Sequence, residues 1–116
     1  KFRDCDNGIR ALYNIKKREI WVDPSVKNES ELREALLHEF IHAADHKGGL
    51  DISTLDGLAR SEVHAAKYCE CKSAFFKRRC VKNVAKIAVT NSIGDYERAS
   101  QAVDSVFEDA FADSLF

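Results

Sequence analysis

Residues 29–47 read ESELREALLHEFIHAADHK, and this segment decides both the fold and the candidate site. Its apolar residues recur every three or four positions, a spacing typical of an amphipathic helix. Asn28 or Ser30 can cap its start, and a Gly-Gly pair can end it. The sequence therefore predicts a helix of about 29–47 that carries the pattern His-Glu-Phe-Ile-His.

That pattern occupies residues 38–42. His38 and His42 are four positions apart and so lie on one face of the helix, one turn apart. Two imidazoles at this spacing can bind one Zn²⁺ ion. Glu39 lies on the adjoining face, where its carboxylate can take a proton from water that zinc has made more acidic. We therefore expect Zn²⁺ as cofactor and Glu39 as the catalytic base of peptide hydrolysis.

A catalytic zinc usually has three protein ligands and one open position. The extended motif with a third His is excluded, because Gly48 stands where that His would be. Glu62, on the next predicted helix, has the spacing of a zinc site that uses a Glu as third ligand. An ordinary surface Glu is the alternative interpretation.

Three more polar residues lie near these positions. His46 continues the four-residue series and is either a residue beside the ligands or an alternative ligand. Asp45 can orient a ligand His through the second ring nitrogen, or it is a polar residue near the helix end. His64 is two positions from Glu62, so it should point away from Glu62 as a satisfied or exposed histidine.

The rest of the chain predicts an α+β fold in a single domain, residues 1–116. Two short β-forming runs within residues 9–23 predict a hairpin. Further helices are predicted at about 55–78, 80–91 and 95–115. A small sheet against about four helices, one with the His-Glu-x-x-His pattern, is typical of a minimal zincin-like metallopeptidase.

Composition narrows the possible functions. The chain has 116 residues, 45% hydrophobic and 32% charged, as in an ordinary globular domain. A net charge of −1 argues against general binding to nucleic acid. It begins at Lys1, and we expect a longer precursor. A basic stretch, 72–86, and an acidic last helix are interpreted as mutually paired, solvated faces, or as a docking face for an anionic membrane or acidic partner.

Four cysteines, Cys5, Cys69, Cys71 and Cys80, permit two disulfides in three pairings, or four reduced thiols.

Four blocks in order, LLHEFIHAADH, ARSEVHAAK, RRCVKNVAKIAVTNS and QAVDSVFEDAFAD, resemble one family over residues 30–114. It is the mitochondrial inner-membrane metallopeptidase family that matures a subunit of the ATP synthase membrane sector and assists its assembly. One member is described as a Ku-binding protein. The resemblance implies that His38 and His42 are zinc ligands and that Glu39 is catalytic. Asp45 and Glu62 also match positions in these blocks.

The resemblance further implies a location in the intermembrane space, peripherally on the inner membrane, with oxidised cysteines such as a Cys71–Cys80 pair. The leading hypothesis is a zinc endopeptidase whose substrate, an ATP synthase subunit precursor, lies along the edge of the small sheet. One alternative is an assembly chaperone that contacts its partner through the last helix, 95–116, and its apolar stripe. Another is a zinc-stabilised interaction module, for example a Ku-binding one, with a closed four-ligand site.

Overall fold

The computed structural model describes residues 11–24 and 28–115. This part of the chain is α+β, as predicted, with one antiparallel two-stranded sheet and four helices. The elements are β1 (Ala11–Asn14), β2 (Glu19–Val22), α1 (Glu29–Lys47), α2 (Leu55–Tyr68), α3 (Lys77–Ile93) and α4 (Tyr96–Ala112). None of these helices is both long and apolar enough to cross a membrane. Residues 9–10 of the predicted hairpin, and Cys5, lie outside the described residues.

Side-chain caps start three of the helices. Asn28 caps α1, Thr54 caps α2 and Asp95 caps α4, each accepting a hydrogen bond from a backbone N–H of the first turn. Such caps satisfy amides that have no partner within the helix. Because α1 starts after its cap Asn28 and ends at Lys47, the His-Glu-x-x-His pattern lies in its last three turns.

The hydrophobic core lies among α2, α3 and α4, which pack against one another. Its largest fully buried side chains are Phe107, Val63, Val81, Val89 and Val103. Helix α1 packs on α2, and the hairpin contacts α1. The motif helix therefore lies between a rigid three-helix core and a two-stranded sheet.

The apolar stripe of α4 faces this core rather than a partner. Its residues Ala99, Ala102, Val103, Val106, Phe107 and Ala110 are all buried. The expectation that this stripe is a contact surface for an assembly partner is therefore wrong.

Helix α2 ends at Tyr68, so the predicted helix of 55–78 is too long. A disulfide between Cys71 and Cys80 holds their Cα atoms 5.8 Å apart. A helix continuing to residue 78 would carry the chain about 10 Å beyond Cys71, given a rise of 1.5 Å per residue. The chain instead turns after Tyr68, and the disulfide is the one that the resemblance implied.

The other two predicted helices also change at their ends. Helix α3 starts earlier and ends later than 80–91. Helix α4 ends at Ala112 instead of residue 115, because Asp113 is extended (φ −63°, ψ 141°) and bonds to α2. Contacts between distant parts of the chain set these ends.

The basic stretch and the acidic last helix pair with each other. Lys86 Nζ lies 3.0 Å and Lys82 Nζ 3.7 Å from Asp104 Oδ1, and Arg78 pairs with Glu108. All three pairs join α3 to α4. Ion pairs near the surface contribute little stability each, but these three account for Arg78, Lys82 and Lys86 within the charge pattern.

We expect Phe107→Ala to lower the free energy of unfolding by about 3–5 kcal/mol, because it leaves a cavity at a fully buried position of the core. Urea denaturation measures this as a lower midpoint at unchanged slope. Ile87→Ala, at a 58% exposed position of α3, is the matched control and should change the free energy by less than about 0.5 kcal/mol. Equal effects of the two variants would contradict the assignment of the core.

Candidate metal centre

Helices α1 and α2 bring three potential ligands together. His38 Nε2 lies 3.2 Å and His42 Nε2 3.3 Å from Glu62 Oε1. Ligand atoms from all three residues lie within 4.8 Å of one another. Both His42 and Glu62 are buried. The i, i+4 spacing on α1 thus aligns the two imidazoles, and α2 supplies the carboxylate from the facing side.

Glu62 Oε1 is buried and has no hydrogen-bond partner among the described residues. An unsatisfied buried carboxylate oxygen is costly. It faces two ring nitrogens, and the other nitrogen of each ring is already occupied by a hydrogen bond. A cation between the three atoms would satisfy them together, so these residues fit a metal ion.

Burial and the charges within this cluster shift the pKa values of Glu62, His38 and His42. Burial alone would raise the pKa of Glu62, but the facing imidazoles of His42 and His38 outweigh it and lower the pKa to about 2. Burial also opposes protonation of His38, yet Glu62 and Glu70 raise its pKa to about 11. In the same way Glu62 raises the pKa of His42 against the effect of burial.

Glu70 holds the outer nitrogen of His38. His38 Nδ1 lies 2.8 Å from Glu70 Oε1. Because a carboxylate only accepts hydrogen bonds, Nδ1 carries the proton, and the lone pair of Nε2 is left for a metal. Sequence reasoning missed Glu70, which lies just past the end of α2. A second group of potential ligands, His38, Cys69 and Glu70, shares His38 and is more exposed than the group with Glu62.

Ser61 holds the outer nitrogen of His42. Ser61 Oγ donates to Asp45 Oδ2 over 2.7 Å and lies 2.7 Å from His42 Nδ1. A hydroxyl has one proton, and here it goes to Asp45, so the hydroxyl must accept from Nδ1–H. In the neutral ring the lone pair of Nε2 is therefore available to a cation that lies between His42 and Glu62. The sequence analysis had allowed direct contact of Asp45 with the ring nitrogen of a ligand His; Asp45 instead contacts Ser61, and Ser61 contacts His42 Nδ1.

Glu39 lies beside the cluster, held by the hairpin. The backbone N–H of Tyr13 in β1 donates to Glu39 Oε1 over 2.7 Å. The second oxygen, Oε2, is 3.8 Å from His38 Nε2. Burial raises the pKa of Glu39 above its ordinary value, while the charges of His42 and His38 oppose that rise. No feature of the sequence pointed to the contact with Tyr13.

The remaining predicted polar residues lie outside the cluster. His46 Nδ1 is 2.9 Å from the hydroxyl of Tyr13, at the rim of the site. His64 is buried and points away from Glu62, with Nδ1 2.9 Å from Asp45 and Nε2 2.8 Å from Asp113. Burial would lower the pKa of His64, but its hydrogen bonds to Asp45 and Asp113 raise it.

Two cavities meet at His38 and Glu39. One, of about 330 Å³, has apolar walls that include Leu12, Ile15, Ile52, Leu58 and Ala88, and it reaches His42 and Glu62. The other, of about 270 Å³, has acidic walls that include Glu31, Glu34 and Glu70. Both cavities are lined by Ala11, His38 and Glu39, and together they are called the cleft below.

A cleft with a buried two-histidine, one-carboxylate cluster and an adjacent carboxylate defines the class of candidate metallohydrolases. Comparison with protein families narrows this class. A sequence model described as the Peptidase M76 family matches residues 1–115, and the chain belongs to that family. Membership implies a metallopeptidase-type function and a protein substrate. Searches of curated proteins and of solved structures found no match.

Glu62→Gln should weaken divalent metal binding by more than about 100-fold, because loss of a direct ligand should exceed the 10–100-fold loss typical of outer residues. Chelator competition with Zn²⁺ measures the affinity. Glu34→Gln, in the wall of the acidic cavity, is the control and should keep wild-type affinity. Unchanged binding in Glu62→Gln would remove Glu62 from the site.

Proposed function

We propose that the chain is a zinc-dependent, zincin-like endopeptidase in which His38, His42 and Glu62 bind the metal and Glu39 is the catalytic base. The observation that carries this proposal is the buried Glu62 Oε1, which faces two Nε2 atoms and has no hydrogen-bond partner within residues 11–24 and 28–115. Imidazole and carboxylate are ligands that suit Zn²⁺. Three protein ligands leave one position for water or substrate, as a catalytic site requires.

The contacts of Glu39 suit a general base. Zn²⁺, when bound, supplies Lewis acidity that makes water more acidic and polarises a peptide carbonyl. The Tyr13 N–H holds Oε1, so Oε2 is the atom that takes the proton from the attacking water. The same oxygen then gives the proton to the leaving amine. Fixing one oxygen orients the other, which raises the effective concentration of the base.

We place the substrate along the edge of β1 that faces away from β2, where the described residues add no further strand. Tyr13 N–H points to α1 and away from β2. In an antiparallel pair such outward groups recur at every second residue, so Ala11 shares this edge. Ala11 lines both cavities. A peptide that adds a strand here would therefore cross the cleft beside Glu39.

The particular substrate we propose is the precursor of an ATP synthase membrane-sector subunit, cleaved on the intermembrane-space side of the mitochondrial inner membrane. The four sequence blocks that resemble the mitochondrial family support it. The disulfide Cys71–Cys80 also supports it, since disulfides persist in oxidising compartments. An assembly role can coexist with cleavage. A closed zinc module of the Ku-binding kind is disfavoured, because the cluster offers three ligands and a base beside them.

Glu39→Gln should reduce peptide cleavage by about 10²–10⁴-fold and leave zinc content unchanged, because it removes the proton acceptor and no ligand. Mass spectrometry of a digested peptide library gives the rate, and metal analysis gives the occupancy. Glu97→Gln, at an exposed position of α4 outside the cleft, serves as control and should cleave normally. Full activity in Glu39→Gln would overturn the mechanism, and a wild-type protein that binds zinc without cleaving would favour the assembly role alone.

The segment before α3 supports peripheral membrane association. Phe75 is 93% and Phe76 67% exposed, and exposed Lys72 and Arg79 flank them. Exposed aromatic rings next to cations are typical of proteins bound to an anionic lipid surface.

Replacing both phenylalanines by serine should weaken binding to anionic phospholipid vesicles by at least about 10-fold, since burial of one phenyl ring contributes about 1.5–3 kcal/mol. Vesicle co-sedimentation measures the partition. Ile87→Ser, at an exposed apolar position of α3, is the control. If the wild-type protein does not bind the vesicles, or the double variant binds equally well, this surface does not contact lipid.

A further inference from the structure

A continuous chain of hydrogen bonds, buried except at its last link, leads away from His42. It runs from His42 Nδ1 to Ser61 Oγ (2.7 Å) and from there to Asp45 Oδ2 (2.7 Å). It continues from Asp45 Oδ2 to His64 Nδ1 (2.9 Å). Its last link joins His64 Nε2 to Asp113 Oδ2 (2.8 Å), beyond the end of α4.

The inner members of this chain are fully or almost fully buried. The exposed fraction is 0% for Ser61, 8% for Asp45 and 3% for His64. Groups at this depth cannot exchange one partner for water, so each constrains the next. Both ring nitrogens of His64 face carboxylate oxygens, which only accept hydrogen bonds. His64 therefore donates at both ends and clamps Asp45 in place.

The outer end of the chain is itself anchored on α2. The backbone carbonyl of Asp113 accepts from Lys67 Nζ over 2.9 Å. Its carboxylate also lies 3.5 Å from Arg60 Nη1, and the backbone N–H of Leu115 donates to the hydroxyl of Tyr68. The segment after α4 is thus fastened beside the helix that carries Glu62.

We propose that Ser61, Asp45, His64 and Asp113 are positioning residues that fix the tautomer and orientation of His42, so that the C-terminal segment after α4 supports the metal site. This inference rests on the proposed metal site. It adds to that site the contact between His64 and Asp113, the residue that follows α4. The direct effect is on Ser61, which can accept from His42 only while Asp45 accepts the Ser61 proton. Asp45 keeps that geometry only while His64 is clamped by Asp113.

The test is a double-mutant cycle on Co²⁺ affinity, with Ser61→Ala, Asp113→Ala and the double variant in the full chain. Chelator competition gives the affinity, the visible Co²⁺ spectrum reports the ligand geometry, and urea denaturation of the metal-free protein reports folding. Asp109→Ala is the control, since Asp109 is an exposed acid of α4. Asp113 itself is 42% exposed at its side chain, so its truncation does not depend on repacking of the core.

We expect Ser61→Ala to weaken Co²⁺ binding by about 10–100-fold, and Asp113→Ala by about 10-fold with an altered spectrum. In the Ser61→Ala background, Asp113→Ala should weaken Co²⁺ binding by less than about 2-fold, because the hydrogen-bond chain is already broken. A full 10-fold loss in that background would overturn the proposal. So would an Asp113→Ala variant whose urea midpoint falls while its Co²⁺ affinity and spectrum stay those of Asp109→Ala.

If Ser61→Ala does not fold, the comparison of Asp113→Ala with Asp109→Ala decides, since equal Co²⁺ affinity of these two contradicts the proposal and weaker binding by Asp113→Ala alone supports it. A wild-type protein that binds no Co²⁺ or Zn²⁺ contradicts the proposed metallopeptidase function itself. Wild-type binding with unchanged affinity in the variants contradicts only the positioning chain.

Discussion

The structure depends on one buried carboxylate. Glu62 lies on α2 at the junction of the three-helix core and the motif helix, and its Oε1 faces two imidazole nitrogens without a hydrogen bond. A buried anion must be compensated by nearby positive charge. Its carboxylate can be compensated by protons on the histidines or by a divalent ion. Either way α1 and α2 are held together by the same three atoms that the proposed chemistry uses.

The polar groups around this carboxylate orient the side chains of His38, His42 and Glu39 by hydrogen bonds. Glu70 and Ser61 hold the outer nitrogens of the two histidines, which leaves their inner nitrogens available as the proposed metal ligands. The β1 backbone holds one oxygen of Glu39. The hairpin therefore orients the proposed base, and its outer edge is where we propose that an extended peptide binds. In this proposal, one two-stranded sheet both orients Glu39 and binds the substrate.

The sequence predicted the features that depend on local patterns. Apolar spacing and caps located α1, and the four-residue spacing placed His38 and His42 on one face. The end of α2 was missed because a disulfide and long-range contacts determine it, and these have no local signature. Ser61 and Glu70 were missed for a related reason. A hydroxyl and a carboxylate on a second helix acquire their partners only when that helix packs against the first.

His64 shows the same limit from another side. Its spacing from Glu62 predicted that it points away as a satisfied or exposed histidine, and the structure shows the satisfied, buried alternative. Its partners, Asp45 and Asp113, come from the ends of two other helices, so no pattern along the chain indicated a clamp.

A crystal structure of the zinc-loaded protein would test the central claim most directly. We expect one ion bound by His38 Nε2, His42 Nε2 and a Glu62 oxygen at about 2.0–2.2 Å, with a non-protein fourth ligand near Glu39 Oε2. An ion bound by His46 in place of Glu62, or closed by a fourth protein ligand, would contradict it.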